Sequence, residues 1–328
     1  MNSTPSEKNI ANFSERFRAL RSAIGGVILG QEQVVDDLLV AVLARGHVLI
    51  EGAPGLGKTM LVRAFAEATD LAFGRIQFTP DLMPADVTGT TVFLDDGNSR
   101  RFEFQPGPVF TNVLLADEIN RATPKTQAAL LEAMQERAVT AAGTMHELPA
   151  PFVTLATQNP LEMEGTYPLP EAQLDRFLFK VLIGRPDADT LRRILLATTG
   201  TGDASVARIF SRQELLEFQE MLRAVPMAST ALERVVELVE ASHRHPQLRL
   251  GASPRGAQAI TLAAKGYALA EGRPNVELTD VRRAAFPALR HRLLLSFEAE
   301  VDGTEPDTII TELLEQVENG GRARAVGR

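Results

Sequence analysis

The octapeptide GAPGLGKT, Gly52–Thr59, follows the apolar run HVLI and precedes the helix-compatible run MLVRAFAEA. It fits G-x-x-x-x-G-K-[ST], whose backbone N–H groups cradle phosphates. Strand, glycine-rich turn and helix in that order confine the chain to an α/β arrangement, with the turn at the carboxyl end of a buried strand. Gly52, Gly55 and Gly57 let the backbone approach a polyphosphate with no Cβ in the way. Ala53, Pro54 and Leu56 complete the loop, and Met60 follows it. The helix beginning near Lys58 adds the positive end of its dipole. Lys58 is placed to reach the β- and γ-phosphates, and the Thr59 hydroxyl to ligate Mg²⁺.

Four further runs read as strands: Arg75–Phe78, Asn112–Asp117, Pro151–Thr157 and Arg176–Ile183. Continuous apolar strands separated by helical stretches predict a parallel sheet covered on both faces. TPKTQAALLEAMQE predicts a helix with Thr123 at its cap, Pro124 in its first turn, and Leu130, Leu131 and Met134 facing the core. From about Pro186 the pattern becomes helical. SRQE (Ser211–Glu214) and TALE (Thr230–Glu233) read as capping boxes. Ser253 and Pro254 open another helix, and Pro287 is expected to kink or divide a later one. The expected organisation is an α/β core over 1–185, a smaller all-α lid over 186–318 and a flexible basic tail over 319–328.

A phosphate loop needs an acid for the metal. VLLADEIN places Asp117 at the end of an apolar run, where a Walker B aspartate lies, so Thr59 and Asp117 form the candidate metal pair. Glu118 follows at once, a carboxylate suited to polarising a water. Asn159, in TLATQNP, would emerge at the same sheet edge and position that water. Asp175 and Arg176 precede the last apolar run. An arginine there is a candidate to stabilise transition-state charge on a neighbouring copy's nucleotide. Arg255, in GASPRG, sits in the first turn of a helix, where the dipole disfavours a cation and a partner is implied.

The 328 residues, 45% hydrophobic, suffice for two domains. With no cysteine, disulfides, thiolate metal sites and cysteine nucleophiles are excluded. A net charge of -8 and no clear aromatic–basic stripe weigh against nucleic acid. No apolar run is long enough to span a bilayer, and the first twenty residues lack a signal-peptide core, so a cytoplasmic protein is expected. His243 and His245, two residues apart, face different sides of a helix and are not read as metal ligands.

The ordered set GAPGLGKT, LLADEINRA, ATQNP, EAQLDRF and GASPRG resembles the MoxR family of AAA+ ATPases, from Phe17 to about Phe297. The resemblance implies an ATPase core followed by a helical lid, with ATP and Mg²⁺ as ligands. It makes Lys58 and Thr59 Walker A, Asp117 and Glu118 Walker B, Asn159 sensor 1, Arg176 the arginine finger and Arg255 sensor 2. ILGQEQ resembles the segment lining the adenine pocket, with Gly30 and Gln31 as contacts. Arg121 is expected to face a neighbouring subunit. Two inserts are expected as hairpins: TTVFLDDGNSRRFEF, turning at Asp95–Asn98, and AVTAAGTMHELPAPF. The resemblance further implies a homo-oligomeric ring, expected to be a hexamer, that remodels client proteins or helps insert metal cofactors, often with a partner bearing a von Willebrand factor A domain. Two other readings share the motifs: a magnesium-chelatase ATPase subunit and a nucleic-acid motor. A GTPase would explain DVTG (Asp86–Gly89), but the chain has no N-K-x-D motif.

Overall fold

The computed structural model describes residues 5–95, 100–160, 165–199 and 206–326. Helices α1 (Glu7–Gly25) and α2 (Glu32–Leu43) precede β1 (Val48–Glu51) and α3 (Lys58–Ala68). The central sheet combines β1 with β2 (Phe73–Gln77), β5 (Val113–Asp117), β8 (Val153–Gln158) and β9 (Phe179–Leu182), in the order β2-β5-β8-β1-β9. These are the five apolar runs of the sequence. All four pairings are parallel, so every carboxyl end emerges at one edge. Strand β5 is buried along its whole length. Val113 and Leu115 enter the core on one face, Leu114 and Ala116 that on the other, as the two-residue period of a strand requires.

Two inserts interrupt this frame. Between β2 and β5 come α4 (Pro84–Thr88) and the antiparallel pair β3 (Gly89–Asp95) and β4 (Arg100–Pro106). The expected turn of that hairpin falls on residues 96–99, outside those described. Between β5 and β8 come α5 (Pro124–Glu136) and the hairpin β6 (Ala138–Ala141) and β7 (Thr144–Glu147). Phe104 of the first hairpin stacks on His146 of the second, ring centroids 4.0 Å apart. Leu130, Leu131 and Met134 of α5 are buried as expected. Thr123 occupies the cap position without capping the backbone, because its hydroxyl meets that of Thr126 at 3.3 Å.

After α6 (Glu171–Leu174) and β9 the chain is mainly helical: α7 (Ala188–Thr198), α8 (Arg212–Ala224), α9 (Ser229–Ser242), α10 (Pro254–Ala270), α11 (Leu278–Leu289), α12 (Phe297–Val301) and α13 (Pro306–Val326). The box at α8 forms as expected: the Glu214 N–H donates to the Ser211 hydroxyl, and the Ser211 N–H to the Glu214 carboxylate. The one expected at Thr230 does not form. Helix α9 starts earlier, with Ala228 at its cap, because the Ala228 carbonyl already accepts from Ala231 and Leu232. Pro287 does not divide α11. It lies in the last turn, where its missing N–H costs a single bond, and the Arg290 N–H still reaches the Phe286 carbonyl at 3.2 Å. A short ribbon, β10 (Leu248–Leu250) against β11 (Leu294–Leu295), adds strand where none is expected. The backbone of α13 runs helical to Val326. Among the described residues no helix is long and apolar enough to cross a membrane.

Candidate nucleotide site

The phosphate loop leaves the carboxyl end of β1 and enters α3. Gly57 caps α3 at φ 80°, a left-handed conformation that a side chain would strain. In the structure Lys58 folds back over the loop: its ammonium donates to the Gly52 carbonyl at 2.6 Å and to the Gln158 carbonyl at 3.3 Å. Burial pulls this ammonium below the ordinary lysine range, while Asp117, Glu118 and Glu51 pull it back. Thr59 lies half-buried in the first turn of α3.

Asp117 ends β5 two strands away, at the same edge. Thr157 joins it to its successor: the Thr157 hydroxyl donates to Asp117 Oδ1 at 2.7 Å and accepts the Glu118 N–H at 2.9 Å. Glu118 is held at φ 57°, ψ 50°, a left-handed conformation unusual for a residue with a Cβ. That turn lifts its side chain off the strand path, where Gln77 donates to it at 2.8 Å and Arg121 pairs with it at 3.3 Å. Arg121, expected to face another subunit, therefore has a partner in its own chain. Arg75 pairs with Asp117 at 2.8 Å. Asn159 emerges just past β8 and is buried. Sequence reasoning missed Arg75, Gln77 and Thr157. The polar residues alternating through RIQF and the threonine two before Asn159 are the signals that mark them.

Beside the loop opens a cleft of about 600 Å³. Ala53–Gly57 and Met60 form one wall, Val27, Ile28 and Leu29 another, and Leu191 and Ile194 of α7 a third. Its apolar walls suit a planar base. Gln31 lines it and donates to the Gly184 carbonyl at 3.3 Å. Gly30 does not line it. It turns at φ 71°, and a Cβ there would lie 2.5 Å from the Thr190 side chain. Its absent side chain admits α7. The hydrophobic residues preceding Gly30 do the lining.

Arg176 and Arg255 lie elsewhere, together. Both line a groove of about 290 Å³ whose walls include Arg45, Gly46 and His47. Those three residues precede β1, whereas the phosphate loop follows it, so the groove sits at the opposite edge of the sheet. Four strand residues separate the two edges by roughly 13 Å. Arg176 donates to the Leu131 carbonyl at 3.0 Å. Asp175 ties the helical half to this point: its carboxylate accepts from buried Arg292 at 2.7 Å and from Ser253 at 3.0 Å, and Arg255 stands 3.9 Å away. His243 and His245 hydrogen-bond to the Ala252 carbonyl and to Glu312, and the described residues contain no cluster of metal-binding side chains.

Residues 47–179 match the model of the ATPase family associated with various cellular activities (AAA), and residues 240–313 match the AAA lid domain. The chain is 43% identical to the Bacillus subtilis protein YeaC, over 90% of this chain and 92% of that one. It is 43% identical to Chaperone MoxR1 of Mycobacterium tuberculosis, over 89% of this chain and 79% of the relative. Protein MoxR of Paracoccus denitrificans is 35% identical, with 88% and 92% covered. A crystal structure of a Cytophaga hutchinsonii protein superposes with a TM-score of 0.87 at 37% identity, covering 94% of this chain and 96% of that one. The parallel sheet, the loop at its carboxyl edge and the helical lid are the architecture these matches share, and the chain belongs to the MoxR family of AAA+ ATPases.

Proposed function

We propose that the chain hydrolyses ATP to ADP and phosphate in a ring of identical copies, each nucleotide lying between one copy's phosphate loop and the next copy's arginine groove. The observation that carries this reading is the separation of Arg176 and Arg255 from their own loop by the full length of β1. A guanidinium at that edge stands about one strand length from its own chain's loop, and a neighbour's nucleotide is the substrate we assign to it. Arg255 therefore acts across the interface together with Arg176.

Within one site, the loop amides and Lys58 bind the phosphates, exchanging the two carbonyl bonds of Lys58 for phosphate oxygens. Val27–Leu29, Gln31 and α7 hold the base. Thr59 and Asp117 offer the oxygen donors that Mg²⁺ takes, and the half-exposed position of Arg75 leaves its pairing with Asp117 replaceable. The bound ion would neutralise phosphate charge. Glu118 takes the proton of the attacking water, Asn159 orients that water, and the neighbour's Arg176 and Arg255 meet the charge gathering on the transferred group.

The ring is hexameric, it works in the cytoplasm, and its turnover drives movement of the lid that remodels a client protein, with metal-cofactor insertion one such task. A protein bearing a von Willebrand factor A domain is its partner. The name of Chaperone MoxR1 supports the client-remodelling part of this reading, and the rest follows the family resemblance. The test is a mixture. Arg176→Ala and Glu118→Gln should each bind ATP and turn over poorly, and mixing them should restore phosphate release at the interfaces that combine an intact Glu118 with an intact Arg176. Lys58→Ala should bind no nucleotide and rescue neither. Mixtures no more active than their parts would sink the shared-site reading.

A further inference from the structure

Six arginines line the groove that holds Arg176: Arg45, Arg137, Arg176, Arg223, Arg255 and Arg292. Asp175 is the one carboxylate among its lining residues, and Arg292 already engages it at 2.7 Å. Arg45 pairs with Glu220 outside the lining, and Arg255 reaches Asp175 at 3.9 Å. Arg137, Arg176 and Arg223 have no carboxylate partner among the described residues. Arg45 and Arg176 are half-buried, while Arg137, Arg223 and Arg255 are exposed. Cations crowded at one mouth without counter-charge repel one another, less where water screens them, and guanidinium does not escape by losing its proton. An anion entering the groove removes that cost.

Arg137 is the member that this argument singles out. It ends α5 in the left-handed conformation, φ 52°, a place where glycine carries no strain. Its Nη2 donates only a long bond, 3.3 Å, to the Arg45 carbonyl. The residue is exposed overall, so the desolvation of its guanidinium and the repulsion from Arg45 and Arg223, which pull it below the ordinary arginine range, are both tempered by water. Arg176 donates to the Leu131 carbonyl of the same α5, so both guanidiniums hang from one rigid helix.

We propose that Arg137 is a third cation supplied across the subunit interface, contacting the polyphosphate of the neighbouring copy's nucleotide beside Arg176 and Arg255. The inference rests on the shared-site reading above and adds a residue to it.

The experiment compares Arg137→Gln, Arg137→Lys and Arg176→Ala in the full chain. Arg137→Gln should bind a fluorescent ATP analogue within about twofold of the parent under dilute, unassembled conditions, because the site it serves is not its own. In a Glu118→Gln background it should weaken ATP-dependent assembly, read by sedimentation. Its kcat should fall about tenfold or more, and mixing with Glu118→Gln should recover activity. Arg137→Lys, which keeps charge but not the planar fork, should fall between. Arg137→Met, which keeps the aliphatic stem, replaces Arg137→Gln if that variant melts early. Near-parental turnover and assembly for Arg137→Gln, with Arg176→Ala inactive, would overturn the inference and leave the shared site standing. Lost turnover that mixing does not recover would assign Arg137 a role inside its own subunit and overturn it too. An active Arg176→Ala would instead remove the shared-site reading itself.

Discussion

The guanidinium of Arg75, on β2, stands 2.8 Å from the carboxylate of Asp117, on the adjacent β5. A protein cation thus already covers the acid assigned to the metal. Asp117 Oδ1 is committed to Thr157, so Arg75 and an incoming cation share the claim on Oδ2. A half-exposed pair of this kind is worth about 1 kcal/mol at most, or roughly fivefold in an equilibrium constant. Arg75→Gln should therefore lower the magnesium concentration at half-maximal turnover by up to about fivefold. A magnesium titration at saturating ATP measures it, and an unchanged or raised midpoint would show that Arg75 does not compete.

Thr157 holds both carboxylate residues through one buried hydroxyl. Thr157→Val keeps the shape and removes the hydroxyl, stranding the Glu118 N–H and one oxygen of Asp117. Such orphaned groups cost about 1–3 kcal/mol of stability each. We expect urea unfolding to register that loss, kcat to fall about tenfold and ATP affinity to hold, since Lys58 and the loop are untouched. Thr157→Ser should restore turnover. Equal damage from serine and valine would mean that the methyl group, not the hydroxyl, matters.

The seam between α2 and the lid carries a buried acid. Asp37 accepts from the Tyr267 hydroxyl at 2.6 Å, and Arg283 lies over the Tyr267 ring while pairing with Asp36 at 2.7 Å. Burial pushes the Asp37 carboxyl up from 3.8 to about 6, against the pull of Tyr267, Arg283 and Arg290. Between those values the folded chain holds a proton that the unfolded chain has released. Stability should therefore fall as pH rises through that window, by up to about 3 kcal/mol for two pH units. Asp37→Asn keeps an acceptor for Tyr267 and never ionises. It should match the parent near pH 4 and exceed it at pH 7, in urea titrations at both. Buried His47, lowered to about 4, titrates in both proteins and cancels in the difference. A stability gap independent of pH would assign the shift to something other than Asp37.

Much of this was legible in the residues because the signals are local. The runs of β1, β5 and β8 became strands because a strand covered on both faces has no polar side to show, while β2, at the sheet edge, keeps polar residues in alternation. Ser211 and Glu214 capped α8 as read, because both partners lie within one turn. Lys58, Asp117, Glu118 and Asn159 fell at one edge because parallel strands align their carboxyl ends. What was not legible depends on contacts distant in sequence. The packing of Gly30 against Thr190, 160 residues on, has no local signal in the sequence. Arg137 read as nothing at all, since only the fold brings it beside Arg45 and Arg223. The position of Arg255 beside Asp175 was likewise invisible in GASPRG, since only the fold brings α10 there.

Asp175 is the anchor by which buried Arg292 and Ser253 grip the sheet, and Arg176 is the next residue along the chain. One peptide bond separates that clamp from Arg176. On the shared-site reading, a tilt of the helical half would reach the arginine at the shortest covalent distance available. In a closed circle of copies, each would sense its own posture and report it to the next through the same few atoms.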